Sequence, residues 1–379
     1  MIGLVIGAGI ALADEPEVTV EAQARPRAEA HTGRDNAEGG EVWFIVQRTR
    51  LGATARMENL SARAVVQDVR LFGEEANTLT DFSADGLDLH FGYLQWDGEG
   101  ASLRLGRQEF LIHEDRLIGN VGWLQQARAF DGARLWTSGD DVPWNLDVGA
   151  AITANPLAEA HEGDAGVAYA LLGYHKASMI DLVYILDAAE TRERAVHTAG
   201  VYAKSKPGIL SGRAEGYYQF GQTDGLTVQA FLVGVRGTLA PEVATKPKFT
   251  LWYDYMSGNS GEDGIKGLFD TMYATNHKFY GLTDVVWFTV GGAADGRGLQ
   301  DAALKLSMVP ARRVTLKAEA HVFLAAQDPD DDMVIGAEPD VTVAWRAARN
   351  LTVSAGAGVF IPNQGETESW GFMMVDANL

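Results

Sequence analysis

From Val18 to His31 apolar and polar residues alternate without a break. Val18, Val20, Ala22, Ala24, Pro26, Ala28 and Ala30 fall on one face; Thr19, Glu21, Gln23, Arg25, Arg27, Glu29 and His31 fall on the other. Successive side chains of a strand point to opposite sides, so this segment reads as a strand with one apolar and one polar face. Ordinary strands run about 5–6 residues, whereas roughly 9–11 are needed to cross a bilayer. The pattern returns where Arg213, Glu215, Tyr217 and Gln219 alternate with Ala214, Gly216, Tyr218 and Phe220. It returns again where Arg313, Thr315, Lys317, Glu319 and His321 alternate with Val314, Leu316, Ala318, Ala320 and Val322. Asp340, Thr342, Ala344 and Arg346 alternate in the same way with Val341, Val343 and Trp345. It is weaker in 41–57, where Gln47 and Thr49 share the face of Trp43, Ile45 and Leu51, and in 61–73, where neither face is clean.

Eighteen segments read as strands: 17–31, 41–57, 61–73, 86–97, 101–111, 129–138, 144–154, 165–176, 179–188, 195–205, 209–221, 226–240, 246–257, 298–310, 312–326, 335–347, 350–362 and 369–379. Connections after even-numbered strands are short, as at Gly98–Gly100 or Ala348–Arg349. Those after odd-numbered strands are mostly longer, as at 32–40, 74–85, 112–128 and 258–297; 222–225 is the exception. This predicts an all-β fold: a single closed antiparallel transmembrane β-barrel of 18 strands, with short periplasmic turns, long extracellular loops and both termini periplasmic. Backbone groups in lipid must all be paired, so the sheet has to close. Eighteen strands leave an aqueous lumen lined by the polar face.

Met1 to Ala13 form an apolar stretch ending in Ala11-Leu12-Ala13, the pattern of a signal peptide, which would leave 14–379 as the mature barrel. No other stretch reaches the 18 apolar residues of a membrane helix. Composition adjusts the picture at three points. The 43 glycines with only 11 prolines suit a curved sheet better than disorder. The absence of cysteine excludes disulfides, thiolate metal sites and thiol catalysis. A net charge of −20 disfavours nucleic acid as a partner.

Three motifs occur in order between Leu103 and Trp136: Gly106-Arg107-Gln108, then Arg116-Leu117-Ile118-Gly119-Asn120, then Trp123 through Ala133 with Gln125, Arg128 and Phe130-Asp131-Gly132-Ala133. Supporting segments are Arg25-Pro26-Arg27, Gln47-Arg48-Thr49-Arg50-Leu51-Gly52, Gln67-Asp68-Val69-Arg70, Tyr253-Asp254-Tyr255 and Asn276-His277-Lys278-Phe279-Tyr280-Gly281. In these motifs the chain resembles the alginate-export family of outer-membrane barrels. The resemblance implies an outer-membrane channel with an arginine-rich constriction. The pore-lining or substrate-contacting positions it implies are Arg48, Arg50, Asp68, Arg70, Arg107, Gln108, Arg116, Arg128, Asp131 and Arg134. Alternation independently adds Arg25 and Arg27. Guanidinium stays charged and matches carboxylates as a planar fork, and rings of such groups select anions. The alternative for each arginine is to brace the lumen wall against a carboxylate. Leu103 and Leu105 face lipid in a regular strand, which would put Arg107 there too; either a bulge at Gly106 reverses its side or Arg107 lies near the rim. The family's namesake carries a long periplasmic turn after its sixteenth strand, and here that turn is only Ala348-Arg349, which weighs against polymer secretion.

Three further groups are weighed. His113-Glu114-Asp115 is too local to converge on one metal. The Asp328–Asp332 run lacks the glycine and glutamate of a calcium loop. Ser307 and His321 fall on neighbouring strands without a hydrolase motif. The 258–297 loop, with its apolar run from Val285 to Val290, is expected either to fold inward and narrow the lumen or to pack on the wall. The sequence therefore predicts a monomeric channel passing anionic sugars or saccharides, partnered by membrane lipid and lipopolysaccharide, with no catalysis, cofactor or metal. Alternatives are export of an alginate-like polysaccharide, and a blocked barrel acting as an enzyme or adhesin.

Overall fold

In the computed structural model the alternating segments are strands of one antiparallel sheet that closes on itself. The structure describes residues 15–32, 41–73, 87–137, 143–157, 162–176, 178–205, 207–288, 296–327 and 333–379. The proposed signal segment, the Asp328–Asp332 run and the acidic positions Glu74, Glu75, Asp81 and Asp85 lie outside the described residues.

The first nine strands are β1 (Glu17–Thr32), β2 (Glu41–Met57), β3 (Leu60–Leu71), β4 (Leu87–Asp97), β5 (Ala101–Gln108), β6 (Phe130–Thr137), β7 (Trp144–Ala154), β8 (Ala165–His175) and β9 (Ser178–Ala189). The second nine are β10 (Arg194–Ser205), β11 (Leu210–Thr223), β12 (Leu226–Leu239), β13 (Lys248–Met256), β14 (Leu299–Ala311), β15 (Val314–Ala325), β16 (Val334–Ala348), β17 (Leu351–Pro362) and β18 (Glu368–Asn378). Each strand pairs with its chain neighbours, and β1 pairs with β18, Arg27 opposite Met374, to seal the cylinder. The largest departure from the expected boundaries is at β5. It ends at Gln108 because the chain has already turned inward by Phe110, which is fully buried.

The outward face is apolar, as period-two alternation requires. Val18 and Val20 on β1, Leu51 on β2, Phe231, Val233 and Val235 on β12, and Val341, Val343 and Trp345 on β16 are all exposed. Trp43 and Phe72 lie toward one end of the cylinder, Trp96, Trp144 and Trp345 toward the other, the placement of interfacial aromatic belts. The polar pair that blurred β2 satisfies itself: Gln47 Nε2 donates to Thr49 Oγ1 at 3.0 Å.

The interior differs from the wet, polar lumen that alternation alone implies. Two long connections enter it. The first, 109–129, buries Phe110, Ile112, Leu117 and Ile118; the second, between β13 and β14, buries Phe269, Phe279, Tyr280, Val285 and Val286. They pack on inward apolar residues such as Tyr169 of β8, Val228 and Leu232 of β12 and Phe323 of β15. Fully burying one such side chain contributes roughly 1.5–3 kcal/mol, which favours the inward position. The inward fold expected of 258–297 is thus observed for its described part, and the apolar residues inside the barrel are its partners. The loops also join each other: Ile118 and Tyr273 form a parallel bridge, with Gly119 N–H donating to Tyr273 O (2.9 Å) and Tyr273 N–H to Leu117 O (3.0 Å).

Candidate functional site

Alternation sends one set of arginines into the lumen from five of the first six strands: Arg25 and Arg27 from β1, Arg48 and Arg50 from β2, Arg63 from β3, Arg104 from β5 and Arg134 from β6, with Gln95 of β4 between them. Their partners divide them. Arg63 is held bidentately by Glu21 (2.8 and 2.7 Å), Arg134 by Asp147 (3.0 and 2.6 Å), and Arg27 by Glu29 (2.7 Å). Among the described residues, Arg25, Arg48, Arg50 and Arg104 hydrogen-bond only neutral acceptors. Arg48 Nε donates to Gln23 Oε1 (2.9 Å), Arg50 Nε to Gln67 Oε1 (3.0 Å), and Arg104 Nε and Nη2 to Gln95 Oε1 (2.9 and 2.6 Å). No described carboxylate hydrogen-bonds any of the four, although Glu109 and Asp376 lie close enough to act on Arg48 and Arg50.

The first inward loop lies over this wall and is caught by its backbone carbonyls. Arg25 donates to Gly122 O (2.8 Å), Trp123 O (3.2 Å), Leu124 O (3.1 Å) and Gln125 Oε1 (2.9 Å). Arg27 Nη1 reaches Trp123 O at 2.5 Å, Arg48 Nη1 reaches Gln125 O at 3.4 Å, and Gln67 Nε2 reaches Gln126 O at 2.8 Å. Carbonyl oxygens carry only partial charge, so the guanidiniums anchor the loop and still project a positive field. Trp123 stands over Arg27, whose Cζ is 4.1 Å from the ring centroid, stacks on His277 (4.7 Å) and meets Trp370 and Phe372 edge-on.

The same loop crosses to the opposite wall through Arg116, only 1% exposed. Its Nη2 donates to Asp254 Oδ2 of β13 (2.7 Å), its Nη1 to the Tyr280 hydroxyl (2.6 Å), and its Nε lies 3.2 Å from Glu215 of β11. Burial opposes its charge, but Asp254, Tyr280 and Glu215 outweigh burial and hold its pKa above the ordinary arginine value. Arg213 and Arg236 share the same two carboxylates. Before it, His113, Glu114 and Asp115 all take left-handed φ (46°, 62° and 71°), which costs roughly 1–2 kcal/mol per residue. Each is compensated by a partner on a different element. His113 Nε2 meets Asp181 (2.7 Å) and stacks on Tyr202, Glu114 takes Arg213 (2.6 Å) and Lys204, and Asp115 takes Lys278 (3.2 Å). The three side chains diverge, and no cluster of metal-ligating side chains occurs among the described residues.

The wall from β13 to β16 is acidic, and its carboxylates are covered. Asp254 faces Arg116 and Arg236, Asp301 faces His321 (2.8 Å) and Glu319 faces Lys305 (2.6 Å). Glu338 accepts from Thr283 N–H (2.7 Å) and Thr283 Oγ1 (2.5 Å), and Asp340 accepts from Leu282 N–H (3.3 Å), so the second inward loop is docked there. The lumen thus has an arginine wall on which four of seven guanidiniums hold only neutral partners, facing an acidic wall on which Asp254, Asp301 and Glu319 hold cationic ones. Among the cavities between the loops and the walls are two of about 370 and 380 Å³ that lie against Trp123. The first is bordered by Arg27, Glu29, His31, Phe44 and Asp284; the second by Asn120, His277, Lys278, Lys317 and Phe372.

The twelve positions singled out by sequence divide accordingly. Arg25, Arg27, Arg48, Arg50 and Arg134 point into the barrel. Arg116 and Arg128 sit in the first loop, where Arg128 ties it to the second by donating to Gly119 O (3.3 Å) and Tyr273 O. Gln108 is buried but donates to its own sheet, at Gly106 O and Gly132 O (3.2 Å each). Arg107, Asp131, Asp68 and Arg70 are corrections. No register shift occurs between β5 and β6, so Arg107 stays on the lipid side with Leu103 and Leu105, opposite Asp131 (2.7 Å) and near Asp88 (3.7 Å), at the end of its strand. The rim position, not a reversal at Gly106, is what the structure contains. Asp68 and Arg70 share the outward face of Val66 and bond each other (2.8 and 2.7 Å); Arg70 borders the first cavity only at its edge, one residue from the end of β3. Arg63 and Arg104 were missed, although the alternation that sends Leu103 and Leu105 outward sends Arg104 inward. Trp123 was visible only as the first residue of the third motif, with no role attached, and the Glu338–Thr283 contact carried no signal of its own. Ser307 pairs with Lys317, and His321 with Ala303, so the suggested serine–histidine pair is not brought together.

The sequence profile of the alginate export family matches residues 17–334. No curated protein matches the chain significantly in sequence. Among solved structures, OpdO of Pseudomonas aeruginosa superposes with a TM-score of 0.69 at 11% identity, covering 96% of this chain and 97% of that one. OccAB4 of Acinetobacter baumannii gives 0.66 at 14% identity (95% and 98% covered). The outer membrane protein opdK of P. aeruginosa gives 0.62 at 12% identity (96% and 98% covered). At these identities the likeness is one of fold, and it extends over the whole barrel.

Proposed function

The chain belongs to the alginate export family, and from that premise we propose that it is an outer-membrane channel for anionic sugars or saccharides. The observation that carries the reading is the unequal pairing of charge in the lumen. Among the described residues Arg25, Arg48, Arg50 and Arg104 hydrogen-bond only glutamine and carbonyl oxygens, whereas Asp254, Asp301 and Glu319 opposite them face arginine, histidine and lysine. An anion entering such a lumen meets guanidiniums that no described carboxylate hydrogen-bonds, Arg50 and Arg104 being the less buried of the four, and a cation meets three carboxylates that are already ion-paired. Selectivity of this kind needs only a fixed field in a confined, low-dielectric space. Passage is passive. The short connections belong on the periplasmic side and the long ones outside.

The test is planar-bilayer recording in a salt gradient. The expected result is an anion-selective reversal potential, and faster passage of a monouronate than of a neutral hexose. A cation-selective current would overturn the proposal. The family description favours one second reading, export of an anionic polysaccharide. Current blocked by polyuronate but not by neutral oligosaccharide would support it.

A further inference from the structure

The two lumen cavities are lined by different residues with two principal exceptions. Trp123 of the first inward loop and Leu282 of the second border both. We propose that Trp123 and Leu282 are the size-determining residues of the passage, facing jaws of one aperture between an outer and an inner chamber. This rests on the channel reading and adds to it what sets the limit on solute size.

Each jaw is mounted differently. Trp123 is held through its backbone carbonyl by Arg25 and Arg27 and through its ring by Arg27, His277, Trp370 and Phe372. That is a rigid mount, with aromatic contacts on several sides. Leu282 is positioned by its neighbours' contacts to β16. Its own N–H donates to Asp340, and Thr283 gives both its N–H and its hydroxyl to Glu338. The site is built for this contact. Gly281 has φ +83°, and a Cβ there would lie 2.3 Å from Glu338 Oε1. A Cβ on Gly358 of the adjacent strand β17 would lie 2.2 Å from Asp340 Oδ1 and 3.0 Å from Thr283 Cγ2. Two glycines, one on each side, leave the room that the carboxylates and the loop backbone occupy. Glu338 and Asp340 are therefore positioning residues for Leu282, not groups that meet the solute.

Solute entry into proteoliposomes is measured with neutral solutes of graded radius. Trp123→Ala and Leu282→Ala are each expected to admit solutes that the unaltered protein excludes, with a severalfold faster entry of the solute just above its limit. Leu282→Trp is expected to lower the limit. Removing the mount by Glu338→Ala should blur the limit. Gly358→Ala, whose Cβ would lie 2.2 Å from Asp340 Oδ1 and 3.0 Å from Thr283 Cγ2, should blur it in the same way. A channel that conducts but keeps one size limit in all these variants overturns the aperture and leaves the channel reading standing. No solute entry by the unaltered protein or by any variant overturns both.

Discussion

Replacing Arg116 with methionine should loosen the inner loops without opening the barrel. The guanidinium makes two hydrogen bonds, to Asp254 (2.7 Å) and to the Tyr280 hydroxyl (2.6 Å), and a third contact to Glu215 at 3.2 Å. A hydrogen bond involving a charged group contributes roughly 1.5–3 kcal/mol, so the gross loss is about 3–6 kcal/mol. Two features reduce it. Asp254 keeps Arg236, and Glu215 keeps Arg213 and Arg236, so neither carboxylate is stranded. Methionine also refills part of the volume beneath Phe279. The net cost should be about 2–4 kcal/mol, at the lower edge of the roughly 3–5 kcal/mol that follows when a buried charge is left alone. That cost falls on docking of 109–129 against 267–288, because the strands keep their own ladders. The amides that report docking are Gly119 and Tyr273, which bridge the two loops. At 1.36 kcal/mol per decade their hydrogen exchange should accelerate by about 30- to 1,000-fold. Strand amides of β11 and β13 should keep their protection, and the folded barrel should keep its heat-modifiable gel mobility. Unchanged exchange at Gly119 and Tyr273 would refute the argument that Arg116 pins the loops.

Arg50→Ala should reduce anion preference: a unit charge about 8 Å from the path acts with roughly 0.5–2 kcal/mol at an effective dielectric of 20–80, or about 2- to 30-fold in permeability ratio. Arg107→Leu, on the outer face, should leave conductance and selectivity as they were, and a changed reversal potential would contradict its placement. Glu114 gives an acid limb. Burial raises its pKa, but hydrogen bonding by Lys204 and the charges of Arg213, Lys204 and Lys278 outweigh burial and hold the carboxyl below its ordinary value. A depressed folded value means that its contribution is complete above the ordinary glutamate pKa, about 4.3, and is lost as pH falls through the lower folded one. The share of the 113–116 amide protection that Glu114 supplies should therefore be lost below about pH 4, and a Glu114→Gln variant should lack that acid limb. Gly106→Ala forces a side chain onto φ +120° with its Cβ 2.3 Å from Gly92 O, so the urea midpoint in lipid vesicles should drop by the equivalent of about 1–3 kcal/mol.

The barrel was legible because its constraint is local. Each strand must alternate on its own, so Val18–His31 announces itself without knowledge of any partner. Where lumen residues sit on a cleanly alternating strand, as Arg25 and Arg27 do, alternation also gave their direction; Arg48, on the weaker β2 pattern, came from the family motif. Motif matching without alternation misplaced Arg107, Asp131, Asp68 and Arg70, whose strand parity puts them outside. The inner architecture was largely hidden for a different reason. Trp123 meets Arg27, His277, Trp370 and Phe372, which are distant in sequence and converge only once the sheet has closed and both loops have entered. Glu338 and Asp340 looked like ordinary inward positions of β16, and nothing in their own segment points to Thr283.

Arg25, Arg48, Arg50 and Arg104 bond to glutamine side chains and peptide oxygens, and this has a thermodynamic corollary. If the proposed anion path is right, the charge that nearby carboxylates leave unbalanced there is balanced by the medium, and small mobile anions such as chloride should populate this side of the lumen at rest. Entry of a larger anion is then an exchange: one multivalent solute arrives and several small ions leave. The release supplies entropy, and it weakens as the bath becomes more saline, because the departing ions gain less from dilution. Half-saturation for a dianion should accordingly climb faster with chloride concentration than for a monoanion, and a neutral sugar should be indifferent to it.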